Sequence, residues 1–160
     1  MLELFPGYCI DTSALIDLWR KLYPPDVFSS LWGEIGSLVH KKELISPKEV
    51  LRELSVKDDE LLAWVKTHDI RKKMFKTIDR EQQNSVSNIL NRFPGLIDPN
   101  AIAVADPFVI ALAMSRGWSV ITSEHRANPG ADPKIPDVCR AYNIKCIGLL
   151  EFFREKSWNF

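Results

Sequence analysis

Two short stretches, far apart in the chain, each put an aspartate where an apolar run gives way to a helix-forming one. The first is Tyr8-Cys9-Ile10-Asp11-Thr12-Ser13-Ala14-Leu15-Ile16, and the second is Val104-Ala105-Asp106-Pro107-Phe108-Val109-Ile110-Ala111. Carboxylates are rarely left in apolar surroundings unless they are paired, hydrogen-bonded or holding a metal. Two further acids have comparable settings. Glu124 follows the apolar run Trp118–Ile121 as Thr122-Ser123-Glu124, and Glu53 lies about one turn into a helix predicted after Ser46. Acids gathered at one place repel one another, and a hard divalent cation relieves that repulsion. Carboxylates so gathered hold Mg²⁺ or Mn²⁺, and such an ion activates a water and neutralises charge on a scissile phosphate. The chemistry expected of Asp11, Glu53, Asp106 and Glu124 is therefore metal-dependent phosphodiester cleavage.

Each acid also has an ordinary structural role open to it. Asp106 suits a helix N-cap, and Asp11 suits the cap of a helix beginning near Ser13. Glu124 reads equally as a loop residue, and Glu53 as a solvated helix carboxylate. Glu49 competes with Glu53, because the two are four apart and share a helix face. Glu49 is already accounted for as the closing member of a capping box with Ser46, so Glu53 is assigned to the metal and Glu49 is held in reserve. The hydroxyls of Thr12, Ser13 and Thr122 sit beside these acids and are candidates to orient a water or phosphate; helix capping and strand-end filling are their plainer roles.

For the acids to meet, the chain must place them at one edge of a sheet. Residues 7–10, Leu44-Ile45, 118–122 and 145–147 are short apolar runs that read as strands. Between them the spacing predicts helices over Ser13–Arg20, Pro25–Lys41, a segment from Pro47 with Ser46 as N-cap, and one opened by Asp58-Asp59-Glu60. Further helices are predicted over Arg80–Phe93, from Asp106-Pro107 to Arg116, over Ile135–Tyr142 and over Leu149–Glu155. His40 and His68 are expected to end helices, and residues 69–78 are basic and ambiguous. Strands alternating with helices imply a parallel sheet covered on both faces. In such sheets sites form beyond the carboxyl ends of the strands, where Asp11 and Glu124 fall.

Composition bounds the partners. The 160 residues are 46% hydrophobic and 26% charged, the balance of a globular protein, with 21 basic and 21 acidic side chains. One domain over 1–160 is expected. Neutrality argues against a protein that coats DNA, but leaves room for an acidic pocket with a basic rim. The cysteines Cys9, Cys139 and Cys146 are expected as free thiols in a reducing compartment, without zinc spacing. Met1–Pro6 lacks a basic start with a long apolar run, so neither a signal peptide nor a membrane span is expected, and the cytoplasm is the default. Trp19, Trp32, Trp64 and Trp118 are expected in the core, and Trp158 either pins the tail or meets a partner.

These stretches resemble the PIN domain family of nucleases. Ile10-Asp11-Thr12-Ser13-Ala14-Leu15 resembles its first motif, and Pro47-Lys48-Glu49-Val50-Leu51-Arg52-Glu53-Leu54 the helix carrying its second acid. Ala105-Asp106-Pro107-Phe108-Val109-Ile110-Ala111 resembles the third motif, and Val120-Ile121-Thr122-Ser123-Glu124 the fourth, where aspartate is more usual. Thr122-Ser123-Glu124-His125, Lys134-Ile135-Pro136-Asp137-Val138-Cys139 and Phe152-Phe153 resemble the branch known as DUF4411. The resemblance implies a three-layer α/β/α domain with a short parallel sheet and a Mg²⁺-dependent (or Mn²⁺-dependent) endoribonuclease. It further implies the toxin of a toxin–antitoxin pair of VapC type, with RNA as substrate and an antitoxin as partner. In that family a region such as the helical pair 25–41 and 47–68 docks an antitoxin or a second copy of the chain.

Arg126 and Lys134, after the fourth motif, are candidate phosphate contacts beside His125, since cations near a scissile phosphate stabilise developing charge. The densest basic run, Arg71-Lys72-Lys73 with Lys76 and Arg80, is expected to be a solvated face, with an RNA-backbone patch as the alternative. No Ser/His/Asp set competes, and Gly33, Gly36, Gly117 and Gly148 form no phosphate loop. The other functional readings are a non-catalytic PIN-like scaffold that binds RNA or a protein, which should have lost an acid, and a DNA flap-type nuclease, for which the chain lacks the usual insertions.

Overall fold

The computed structural model describes residues 6–57, 59–101 and 103–160. Five strands, β1 (Tyr8–Ile10), β2 (Leu44–Pro47), β3 (Phe75–Lys76), β4 (Ser119–Ile121) and β5 (Cys146–Ile147), form one sheet in the order β3-β2-β1-β4-β5. Every pairing is parallel, with Tyr8 opposite both Leu44 and Ser119 and Ile10 opposite Ile121. The strand order grows one way from β1 to β3 and the other way from β4 to β5. The point where it reverses lies between β1 and β4, the position at which open parallel sheets leave a crevice.

Helices cover the sheet in a three-layer α/β/α arrangement. They are α1 (Thr12–Ile16), which runs on as a π-helical turn over Asp17–Leu22, α2 (Ser29–His40), α3 (Lys48–Leu54), α4 (Glu60–Lys66), α5 (His68–Met74), α6 (Arg80–Arg92), α7 (Asp106–Arg116), α8 (Ile135–Ala141) and α9 (Leu149–Glu155). The apolar α7 packs on β1, β2 and β4, and its far side meets α6. Its Val109, Ile110, Ala111, Leu112 and Ala113 are all buried, so the helix that begins with Asp106 is anchored over the sheet centre. Gly117 closes α7 with φ 67°, a left-handed conformation that costs glycine little.

Three local expectations are corrected. Ser46 is not an N-cap: pairing with β3 extends β2 through Pro47, and the Ser46 hydroxyl donates to the Ile10 carbonyl at 2.6 Å. Helix α3 therefore starts at Lys48, Pro47 is its N-cap, and Glu49 closes no capping box. Residues 69–78 resolve into α5 and β3, so His68 opens a helix instead of ending one, whereas His40 does end α2. Asp59 caps α4 by accepting from Leu62 N–H at 3.0 Å, while the expectations for Asp58 and for Met1–Phe5 lie outside the described residues.

Trp32 and Trp118 are buried, and Trp19 and Trp64 pack against Trp32 in an aromatic cluster on the core's rim. Trp158 pins the tail, its ring 5.2 Å from that of Phe152. The three cysteines are free thiols, with Cys9 and Cys139 buried and Cys146 half-buried. Among the described residues no helix is long and apolar enough to cross a membrane.

Candidate metal centre

The crevice between β1 and β4 is built from the strand ends. Asp11 follows β1, and its backbone N–H donates to Ile121 at the end of β4 at 3.0 Å. Its carboxylate caps α1 by accepting from Ala14 N–H at 2.8 Å. The Ser13 hydroxyl donates to it at 2.9 Å and the Thr122 hydroxyl at 2.5 Å. Capping and burial therefore hold together at Asp11, which is only 2% exposed. Burial pushes this carboxyl up to about 7, against the pull of Thr122, Ala14 and Ser13, and the Glu124 charge adds to the rise.

Glu53 reaches the same place from α3, where Thr12 donates to it at 2.5 Å. Its carboxyl is raised by burial, opposed by the bonds from Thr12 and the Ala105 N–H, and raised further by Glu124. Glu124 stands in the loop after β4 and accepts from Ile135 N–H at 3.1 Å.

Asp106 is not the N-cap of α7. Ala105 holds that position in αR geometry, which makes Asp106 the first helical residue and leaves its carboxylate free of the helix. No hydrogen bond to a described residue supports it. Burial lifts the group to about 8, then Glu124, Asp11 and Glu53 each raise it, and Lys134 alone opposes. The four acids predicted from sequence thus fall within one another's fields at one sheet edge. Glu49 does not join them: it faces a groove with Gln83 and Phe108, and its buried Oε2 has no hydrogen-bond partner among the described residues.

The cations divide. Lys134 lies close enough to hold Asp106 down, whereas Arg126 turns to Asp137 at 3.7 Å. Asp137 was not singled out as a site residue. It accepts from Ala127 N–H and Lys134 N–H, both at 2.9 Å, and so ties down the loop bearing Glu124 and Lys134. Burial resists its ionisation, but those bonds and Arg126 outweigh it and hold Asp137 below the usual carboxylate range. The signal was available, since an acid three residues into a helix that begins Ile135-Pro136 reads as a reach-back cap.

All the donors in the crevice are oxygens, mostly anionic, and they disfavour one another's ionisation; this set suits a hard divalent cation and not a soft one. Among the described residues no group of three acids, histidines or cysteines stands ready-made as a metal cage. The reason is visible in the bonds above, since Glu53 is held by Thr12 and Glu124 by Ile135. To converge on one ion, those two long side chains must exchange their hydrogen bonds for the metal. Beside Glu124 a groove of about 940 Å³ opens between the ends of β4 and β5, with Arg126, Arg140 and Leu149 in its walls.

A family model described as Domain of unknown function (DUF4411) matches residues 8–160. The chain belongs to this family. No curated protein matches the chain. Among solved structures, VapBC2 from Rickettsia felis, crystallised bound to a DNA fragment from its promoter, superposes with a TM-score of 0.55 at 14% identity, covering 88% of this chain and 97% of that one. PAE2754 from Pyrobaculum aerophilum superposes with a TM-score of 0.48 at 13% identity, covering 95% and 97%. The likeness to VapBC2 bears on fold alone, and the DUF4411 chain has the PIN-like α/β/α fold.

Proposed function

We propose that this DUF4411 chain is a metal-dependent endoribonuclease. Asp11, Glu53, Asp106 and Glu124 would hold Mg²⁺ or Mn²⁺ at the crevice between β1 and β4. The observation that carries the reading is Asp106, a carboxylate lifted to about 8 by burial and three acidic neighbours, with no hydrogen bond to a described residue. Such a group is costly to keep unless something compensates it in use. When bound, the ion supplies an activated water and charge neutralisation on the phosphodiester.

The chain's own residues do the positioning. Thr122 and Ser13 fix both oxygens of Asp11, so that this ligand is aimed before anything binds. Thr12 instead holds Glu53 aside and would release it to the ion. Lys134, on the loop fastened by Asp137, is the cation placed to meet a phosphate, and Arg126 is the weaker candidate because Asp137 engages it. RNA hydrolysis by in-line attack of water is the reaction this arrangement would serve.

The toxin assignment and an antitoxin partner rest on the fold shared with VapBC2, and a homodimer and a cytoplasmic setting accompany that proposal. The decisive measurement is Mn²⁺-dependent cleavage of RNA by the purified chain. Asp106→Asn and Asp11→Asn are each expected to lose at least 100-fold in rate and to relieve growth inhibition on expression. Unchanged cleavage by either variant overturns the assignment. The scaffold reading draws on the engaged state of Glu53 and Glu124, and it gains if the wild-type chain neither cleaves RNA nor binds Mn²⁺.

A further inference from the structure

A second groove, of about 880 Å³, lies on the other side of α3 from the acids. Six of its wall residues are basic: Lys48 and Arg52 of α3, Lys66 of α4, and His68, Arg71 and Lys72 of α5. The remaining walls are Leu51, Ser55, Phe75 and Thr77, so among the described residues no carboxylate lines it. All six basic residues are exposed. None of the five lysines and arginines forms an ion pair with a described residue. In a chain with 21 basic and 21 acidic residues, this is local segregation of charge and not a basic protein's average surface.

Its position adds to this. Lys48 immediately follows β2 and Thr77 immediately follows β3, so the groove opens at the same carboxyl edge as the acid crevice. Helix α3 is the shared wall, with Lys48 and Arg52 facing the groove and the adjacent Glu53 reaching Thr12 on the opposite side. We propose that this groove binds the phosphate backbone of single-stranded RNA and leads the strand past α3 to the acids; the second half of that statement rests on the nuclease reading above. Phe75 in its wall is only 6% exposed, too buried to stack on a base. Binding there is therefore expected to be independent of sequence and steeply dependent on salt.

The test is fluorescence anisotropy of a 15-nucleotide labelled RNA with the full chain in EDTA, over a series of NaCl concentrations. Lys66→Gln/Arg71→Gln/Lys72→Gln is expected to bind at least tenfold more weakly. Its slope of log affinity against log salt should shrink by about 2, at roughly 0.7 for each lost phosphate contact. The control Lys41→Gln/Arg154→Gln should stay within twofold of wild type. Should the triple variant melt early, Lys66→Gln and Lys72→Gln are read singly, each with a two- to threefold loss expected. Affinity and slope matching wild type overturn the proposal, as does competition by a glutamate 15-mer as strong as that by unlabelled RNA. The two readings separate cleanly: Mn²⁺-dependent cleavage that Asp106→Asn abolishes, with RNA binding unaffected in the triple variant, removes the groove and keeps the nuclease. Loss of RNA binding in the triple variant of a chain that never cleaves removes the nuclease and keeps the groove.

Discussion

The Asp106 carboxylate gains nothing from the helix it begins and is opposed by three other acids. At about pH 3 and below it is mostly neutral in both the folded and unfolded chain. Between there and pH 8 the unfolded chain ionises while the folded one keeps its proton, so stability falls as pH rises. Asp11, lifted to about 7, acts in the same direction. The metal-free protein is expected to melt lower at pH 8 than at pH 5.5, and Asp106→Asn to remove much of that slope. In urea titrations at pH 8 without metal the variant should gain about 1–3 kcal/mol; a loss would contradict the crowding of acids around it. Thr122→Val deletes the hydroxyl donated to Asp11, and supporting bonds of this kind change metal affinity by about 10–100-fold. Calorimetry with Mn²⁺ should show that weakening, with Thr122→Ser close to wild type. The four acids could be picked out as candidates in the sequence, because each breaks an apolar context or sits just beyond one. Their hydrogen bonds could not, since Thr122 and Asp11 are 111 residues apart and their meeting depends on which strands are neighbours.

Among the elements, the loop over residues 124–134 shows how much a single acid organises. Asp137 holds it at Ala127 and Lys134, and Glu124 holds the start of α8 through Ile135. Asp137→Ala is expected to cost about 1–2 kcal/mol, in the range of a lost helix cap, and to speed proteolytic cutting within 124–134. Equal stability and equal cutting rates would mean that the loop is held elsewhere. Four strands were legible as apolar runs. The fifth, Phe75-Lys76, was not, because two residues carry no period and the basic turn before them resembles a solvated helix face. The pattern Ser46-Pro47-Lys48-Glu49 looked like a capping box because a strand ending in serine and proline has the same residues as a helix start. Tertiary pairing with β3 decided between them. Ser46→Ala should cost about 1 kcal/mol through the lost bond to Ile10, seen as a lower urea midpoint.

For the molecule as a whole, the carboxyl edge of the sheet carries three surfaces in sequence. The basic groove lies at β3 and β2, the acids at β1 and β4, and the larger groove at β4 and β5. Zero net charge concealed this, because composition sums over a surface on which the signs are sorted. The tail closes the fold on the far side, with Trp158 against Phe152 and Phe153. Removing residues 158–160 is expected to cost about 1–3 kcal/mol, less than truncating a fully buried tryptophan, measured as a lower melting temperature. The placement of β1 between β2 and β4 has one more consequence. During synthesis Asp11 emerges 111 residues ahead of Thr122, which steadies it, and ahead of the strand that completes its surroundings. A partly made chain on the ribosome has no assembled crevice, so anything that depends on the gathered acids waits until β4 has been made and paired.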